Sequence, residues 1–203
     1  MVVLTDRLRL EPVGAGNARD LWLVLSDDAV WPSYGRVKPA YEQVEQSARD
    51  MGEAWRRQGV HKWIAYDRRS GEVVGRGGLS RPPVDADWGQ LYTFLPDEPW
   101  VRAAHLGAHA HWYELGWALR EKHRGRGYAT EIGRAGLAHA FDVLDAQAVV
   151  SCTLRHNTNS RAVMERLGLR YAGEIVSDRE PYAVSVMLRA EHPGGQRPGR
   201  RLG

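Results

Sequence analysis

Cysteine and long apolar runs are scarce in this sequence. Cys152 is the only cysteine among 203 residues, so no disulfide can form within the chain. The longest apolar runs, near residues 2–5 and 148–154, are far too short to cross a bilayer. The first ten residues lack the basic-then-apolar order and the cleavage site of a signal peptide. We therefore expect a cytoplasmic protein that does not associate with a membrane.

An excess of positive charge is missing from the body of the chain. The formal net charge is +3, from 28 Lys and Arg against 25 Asp and Glu. The last twelve residues carry Arg197, Arg200 and Arg201 and no acid, so the remaining 25 basic residues equal the 25 acidic ones. Nucleic-acid binding is therefore not expected of the folded part. The Gly/Pro/Arg-rich tail, residues 191–203, is predicted to be disordered.

Alternating and helical patterns predict one α/β domain over residues 1–190, built on a single mixed sheet with helices on both faces. The pattern predicts strands at 6–13, 109–121, 146–154, 170–176 and 181–190, and a hairpin at 61–80 that turns near Ser70–Gly71. It predicts helices at 14–28, at 41–59, from the glycines near 125 to about 144, and at 157–168. Asn17 is the expected cap of the first helix and Gly59 the end of the second.

Residues 81–108 contain four prolines and two tryptophans without clear periodicity. We interpret this segment as an inserted loop or lid, because an uninterrupted loop of that length is unusual and often functional. The alternative is an irregular surface excursion that is packed by Trp88 and Trp100.

Two glycines and two arginines, Arg124-Gly125-Arg126-Gly127, stand directly before the predicted helix that ends near Leu144. The first amides of a helix lack partners within the helix and favour an anion, and glycine lets a phosphate approach the backbone. A P-loop is excluded because the chain has no Gly-Lys pair, and a dinucleotide fingerprint would need glycine at Thr130. Taken alone, the turn is as well explained by a solvated basic turn.

Three features in register resemble the GNAT superfamily of acetyl-CoA-dependent N-acetyltransferases, closest to the branch of ribosomal-protein N-terminal acetyltransferases. The stretch 124–129 fits the family's phosphate motif Q/R-x-x-G-x-G/A. The strand Glu114–Leu119 precedes it, where the family carries a bulged strand that pairs with pantetheine. Asn157, Ser160 and Leu167-Gly168-Leu169 fit the helix that follows in the family.

The resemblance implies a twisted, mostly antiparallel sheet, acetyl-CoA as cosubstrate, and acetyl transfer to a primary amine. It also implies a set of coenzyme-binding residues in the strand, the turn and the later helix. These are Trp117, Ala118, Leu119, Arg124, Gly125, Arg126, Gly127, Tyr128, Ala129, Thr130, Asn157 and Ser160. Plain helix capping is the alternative for Asn157 and Ser160, and the two roles are compatible.

The amine must lose a proton before or during attack, so a base is required. Glu114 is the first candidate, since some members of the family place a catalytic glutamate there; the alternative is a solvated or ion-paired carboxylate. His111 is the second candidate. Met164 occupies the position where many members carry a tyrosine acid, so Ser160 is the candidate acid. Cys152 is expected to be a small hydrophobe, and no metal site is expected.

The acceptor is the least determined part of the prediction: a peptide N-terminus or a small-molecule amine, with a homodimer as a further option. Aromatic walls and acids could hold a cationic amine, although core packing and solvation are the alternatives for each residue. The candidates are Trp31, Trp88, Trp100, Trp112, Asp85, Asp87, Asp97 and Glu98. The alternative function is that of a non-catalytic acyl-CoA-binding sensor or assembly module.

Overall fold

A computed structural model describes residues 1–34, 37–81, 87–105 and 111–193. Its strands are β1 (Val3–Leu4), β2 (Leu8–Pro12), β3 (Lys62–Asp67), β4 (Val73–Ser80), β5 (Trp112–Leu119), β6 (Ala148–Leu154), β7 (Arg170–Ser177) and β8 (Glu180–Leu188). Its α-helices are α1 (Ala18–Leu25), α2 (Tyr41–Gln58), α3 (Pro99–His105), α4 (Tyr128–Ala138) and α5 (Thr158–Arg166). The predicted order is confirmed, with β1 and α3 as additions.

Hydrogen-bonded strands follow the order β1-β2-β3-β4-β5-β6-β8-β7, a mixed and mostly antiparallel sheet of eight strands. The antiparallel pairs include β2 with β3 and β6 with β8, whereas β5 and β6 are parallel. The contacts divide the chain into two units, Met1–Arg81 with Leu115–Gly136, and Pro82–Glu114 with Leu137–Gly203. Strand β5 contributes its first three residues to the second unit and the rest to the first.

In the first unit, helices cover both faces of the sheet, as the sequence predicts. Ile64 on β3 belongs to the core that α1 and α2 form, whereas its neighbours Trp63 and Ala65 pack with Tyr128 and Ile132 of α4. Successive residues of a strand point to opposite faces, so a strand with apolar residues throughout is buried on both. The four residues from Trp63 to Tyr66 in β3 are buried for this reason.

Glycines let α4 lie close to the sheet. A Cβ on Gly77 of β4 would come within 2.5 Å of Ile132 Cγ2, and one on Gly136 of α4 within 2.6 Å of Leu115 Cδ1. Neither position could accept even alanine without movement of its neighbours. The small residue Gly136 therefore allows α4 to approach β5 closely. Beyond Ala138 the helix continues as a π-helical segment, His139–Val143, and so reaches the predicted end near Leu144.

In the second unit, β5, β6, β8 and β7 surround a core that includes Val150, Ile175 and Val184. The segment predicted as an inserted loop or lid supplies part of this core through Leu91 and Val101. It contains a 3-10 helix, Trp88–Phe94, and α3, so it is not an uninterrupted loop over the residues described, and its role as a lid stays a prediction. The proline-rich run gave no periodicity because its helices are one or two turns long.

The predicted helix ends differ in how they are capped. Gly59 ends α2 in the left-handed conformation, with φ of 67°, as predicted. Asn17 precedes α1, but its side chain makes no capping bond to that helix. Its Oδ1 instead accepts from the Gly14 amide at 2.9 Å, and its Nδ2 donates to the Pro12 carbonyl. The predicted disordered tail lies outside the described residues from 194 onward.

Candidate functional site

The turn that joins β5 to α4 exposes a run of backbone amides. Gly125 and Gly127 have φ of 73° and 80°, the left-handed region that glycine favours, and residues 124–127 are all exposed. The first bond of α4 runs from the Glu131 amide to the Gly127 carbonyl, at 3.1 Å. None of the hydrogen bonds found in the described residues uses the amides of residues 125–130. An anion could therefore accept several of them at once.

One buried hydroxyl in the first turn of α4 also lacks a partner. Thr130 is 7% exposed, and its Oγ1 has no hydrogen bond among the described residues. Buried polar groups are nearly always paired in folded proteins, so an unpaired hydroxyl beside unpaired amides is unusual. This observation and the open amides both fit the diphosphate end of a coenzyme.

Arg7 holds the turn from the side opposite the open amides. Its Nη1 donates to the Arg126 carbonyl at 2.8 Å. Because a trans peptide directs N–H and C=O to opposite sides, this bond fixes the Gly127 amide pointing away from Arg7. Arg7 is in turn fixed by Glu131, with 2.7 Å between Nη2 and Oε2. The sequence gives no sign of this pair, whose members are 124 residues apart.

Glu131 is an anion held in place on the first turn of α4. It accepts from Thr5 Oγ1 at 2.5 Å and from the Arg7 amide at 2.8 Å. Burial raises the pKa of Glu131, but the bonds from Thr5 and Arg7 outweigh it and hold the pKa below its usual value. A negative charge at this end of a helix is favourable. Glu131 is therefore ionised at neutral pH and keeps Arg7 in position.

Two of the residues predicted to bind the coenzyme use their side chains to stabilise the fold. Tyr128 is buried beneath Arg7 and donates its hydroxyl to Asp67 at 2.7 Å, which raises the pKa of Tyr128 and lowers that of Asp67. Arg124 donates to the Leu119 carbonyl at 3.3 Å and to the Ala29 carbonyl. Tyr128 and Arg124 thus anchor the turn through their side chains. Ala129 packs against the core that contains Tyr128, and no hydrogen bond or ion pair of the Arg126 side chain is found among the described residues.

The three candidates on β5 differ in accessibility. Ala118 and Leu119 are 7% and 8% exposed and belong to the cores on opposite faces of the sheet. Trp117 is half-buried, and its carbonyl accepts from Tyr34 Oη at 3.4 Å. Trp117 is therefore the reachable member, and the bulge expected in this strand stays a prediction. Leu115 and Ala118 pack on opposite faces of the sheet.

Glu114, Asn157 and Ser160 lie in the second unit. Asn157 Oδ1 accepts from the Ser160 amide at 3.1 Å, so the capping interpretation of Asn157 is confirmed. Ser160 and Glu114 are half-buried, which leaves both within reach of solvent. Met164, at the position of the family's tyrosine, is 2% exposed and belongs to the core.

Most of the expected acceptor-binding aromatics and acids serve the fold. Trp112 is fully buried, and Trp88 and Trp100 pack against the same core, so the cleft-wall interpretation is wrong for Trp112 and the packing alternative holds for the other two. Asp97 pairs with Arg102 at 2.7 Å, and Glu98 accepts from Trp100 Nε1. Asp87 Oδ2 accepts from Ser177 Oγ at 3.3 Å. Asp85 lies outside the described residues.

Trp31 lines a pocket of about 210 Å³ in the first unit. The other lining residues are Leu25, Tyr34, Val37, Pro39, Gln43, Val44, Ser47 and Arg76 of β4. Arg76 is not among the predicted residues, although it is the single charged residue inside the otherwise apolar and glycine-rich strand VVGRGGLS. Within the described ranges, no group of three or more His, Cys, Asp or Glu could hold a metal, and no helix could span a membrane.

Comparison with known proteins identifies the family. A family model described as the acetyltransferase (GNAT) domain matches residues 7–170, so this chain belongs to the GNAT acetyltransferases. The uncharacterized Bacillus subtilis (strain 168) protein YkkB is 26% identical over 186 residues, which cover 90% of this chain and 92% of YkkB.

Solved structures share the fold at lower identity. A GNAT-family acetyltransferase structure from Bordetella pertussis aligns with a TM-score of 0.70 and 24% identity, over 92% of this chain and 98% of that one. The ribosomal-protein-S5-alanine acetyltransferase from Vibrio fischeri aligns with a TM-score of 0.69 and 12% identity, over 93% and 96%. The predicted fold class is confirmed, and the neighbours include the ribosomal-protein branch that the sequence resembles.

Proposed function

We propose that this chain transfers the acetyl group of acetyl-CoA to the nitrogen of a primary amine, on a small molecule or at a peptide N-terminus. The observation that carries the proposal is the run of open amides at residues 125–130, in a chain that belongs to the GNAT acetyltransferases. A diphosphate could accept from these amides, and Thr130 Oγ1 would supply one more polar contact. Acetyl-CoA supplies the activated acetyl thioester.

Glu114 is the proposed general base. It is half-buried on β5, three residues before Trp117, and a base near neutral pH needs a carboxylate that can exchange a proton with an amine or a water. A backbone N–H of β5 would stabilise the negative charge that develops on the carbonyl oxygen, as in an oxyanion hole. Ser160 is the proposed proton donor, because its half-buried hydroxyl is the alternative to the missing tyrosine.

A second candidate function is non-catalytic coenzyme binding. The observation that favours it is Met164, which is buried and cannot donate a proton. A thiol-release assay with a panel of amines separates the two candidates, and calorimetry with acetyl-CoA reports binding on the same protein. Release that depends on an amine supports the enzyme. Binding of acetyl-CoA with no release across the panel supports the sensor.

Glu114→Gln is expected to lower kcat by about 10²-fold or more and to change the affinity for acetyl-CoA by less than about twofold. The deficit should be largest at low pH, where little amine is neutral, and should narrow as the pH rises. Exposed Glu180, changed to Gln, is the matched control. If the kcat of Glu114→Gln equals that of the unchanged protein at every pH, Glu114 is not the general base.

The proposed location is the cytoplasm, because the single cysteine fits a reducing compartment. The proposed partners are the amine acceptor and, as an option, a second copy of the chain.

A further inference from the structure

The pocket beside β4 contains an arginine without a polar partner. Arg76 is 8% exposed, and its Nε has no hydrogen bond among the described residues. Its one recorded contact is with the ring of Tyr34, whose centroid lies 4.8 Å from the guanidinium carbon. A buried cation is normally paired, because leaving it unpaired is strongly unfavourable. Among the described residues no carboxylate pairs with this guanidinium, so an anion that enters the pocket could pair with it.

Two other polar side chains that line the pocket make hydrogen bonds at the start of α2. Gln43 Oε1 accepts from the Ala40 amide at 3.1 Å, and Ser47 Oγ donates to the Gln43 carbonyl at 3.0 Å. None of the described lining residues is acidic. Leu25, Trp31 and Val44 supply apolar walls. The pocket thus presents one planar cation in an apolar enclosure, and this arrangement suits a carboxylate on a small apolar group.

The rim of the pocket is tied to the proposed coenzyme site within the same unit. Tyr34 Oη donates to the Trp117 carbonyl of β5, the strand expected to hold the acetyl arm. Four residues before Trp31, Asp27 Oδ2 accepts from the Glu121 amide at 3.4 Å, and Ala29 accepts from Arg124. One segment, residues 27–34, therefore contacts the pocket, β5 and the glycine turn. A ligand in the pocket would lie next to the strand where acetyl transfer is proposed.

We propose that this Arg76 pocket binds the carboxylate of the acceptor, so that the preferred acceptor is a carboxylate-bearing amine with a small apolar side chain, similar to a free amino acid. The inference rests on the proposed acetyl transfer. The volume of about 210 Å³ equals that of roughly seven water molecules, enough for a carboxylate and a few carbons. A polyamine would place cations against Arg76 and is disfavoured.

The kinetic test compares leucine with leucinamide, which differ only in the carboxylate. The ratio of their kcat/KM values is measured in the unchanged protein and in Arg76→Met, because a change in this ratio cancels the intrinsic reactivity of each amine. We expect the ratio to fall by about tenfold or more in Arg76→Met, and less in Arg76→Lys, which keeps the charge but loses the planar fork. Arg56→Met, on the exposed side of α2, is the matched control.

A binding test is independent of turnover. Saturation-transfer NMR with 4-methylpentanoate and 4-methylpentanamide should detect the carboxylate on the unchanged protein and on Arg56→Met, but only weakly on Arg76→Met. A thermal melt that shows Arg76→Met folded validates the comparison; if it does not fold, Arg76→Lys replaces it. An unchanged kinetic ratio, or equal binding of acid and amide to the unchanged protein, overturns the inference. Selective carboxylate binding without any acetyl transfer would contradict the proposed function but would still support a carboxylate site at Arg76.

Discussion

The glycine turn and the Arg76 pocket lie in the same unit but would bind their ligands by opposite means. The turn offers consecutive backbone amides from residues 125–130, and its Arg124 and Tyr128 side chains are bonded to the fold. The pocket offers one side chain, Arg76, inside walls that include Leu25, Trp31 and Val44. Backbone recognition depends on conformation and tolerates most side chains, whereas side-chain recognition depends on one residue. For this reason the glycine turn can be recognised as a sequence motif, whereas the Arg76 pocket cannot.

Gly127→Glu tests the backbone half of this comparison and should have the largest effect. It puts bulk and negative charge into the glycine turn, where the new Cβ would lie 3.4 Å from Arg7 Nη2, so the carboxylate would disturb the Arg7 clamp and repel a diphosphate at the neighbouring amides. We expect acetyl-CoA affinity to fall by about 10²-fold or more, measured by calorimetry. Gly71→Glu is the matched control, because Gly71 has φ of 73°, similar to Gly127 at 80°, and open space around it. Both variants carry the same strain and charge, so only the site differs.

Equal acetyl-CoA affinity of Gly127→Glu and Gly71→Glu, with both variants folded, would contradict coenzyme binding by the glycine turn. Separate sites are supported if Arg76→Met leaves acetyl-CoA affinity unchanged while Gly127→Glu leaves little binding to measure. The two sites would then be separable, one for the coenzyme and one for the acceptor.

Glu131→Gln tests how the turn is held and should have an intermediate effect. Removing the charge weakens the Arg7 clamp on the Arg126 carbonyl, so we expect acetyl-CoA to bind about 3- to 10-fold more weakly and unfolding to be easier by about 1–2 kcal/mol at pH 7. Glu45→Gln, whose carboxylate pairs with Arg49 on the exposed face of α2, is the control and should change stability by less than about 0.5 kcal/mol.

The pH dependence of this variant follows from the direction of the pKa shift. The pKa of Glu131 is lower in the folded chain, so its stabilisation is fully present above the unfolded-state pKa of about 4.3 and is lost as the pH falls through the lower folded value. Thermal melts should therefore show a gap between the unchanged protein and Glu131→Gln at pH 7 that closes below about pH 4. A gap of equal size at both pH values would contradict the ionised clamp.

Most of the fold and the glycine turn could be predicted from the sequence. The order of elements, the end of α2 at Gly59 and the turn at residues 124–127 follow from short-range patterns: period, capping and left-handed glycines. The short helices at Trp88–Phe94 and α3 escaped because one or two turns give no period. The Arg7–Glu131 clamp and the Arg76 pocket escaped for another reason, since each joins residues that are distant in sequence, and only the fold brings them together.

The smallest expected effects concern Asn157, where capping and coenzyme binding use different atoms of one side chain. Its Oδ1 accepts from the Ser160 amide, which leaves the Nδ2 group as a donor for a ligand. Asn157→Ser keeps a capping oxygen and loses that donor, whereas Asn157→Ala loses both. We expect the alanine variant to lose about 1 kcal/mol of stability and the serine variant almost none. Both variants should bind acetyl-CoA about threefold more weakly by calorimetry. Unchanged binding in both would mean that Asn157 only caps the helix, and that the turn is the only predicted coenzyme-binding segment that remains supported.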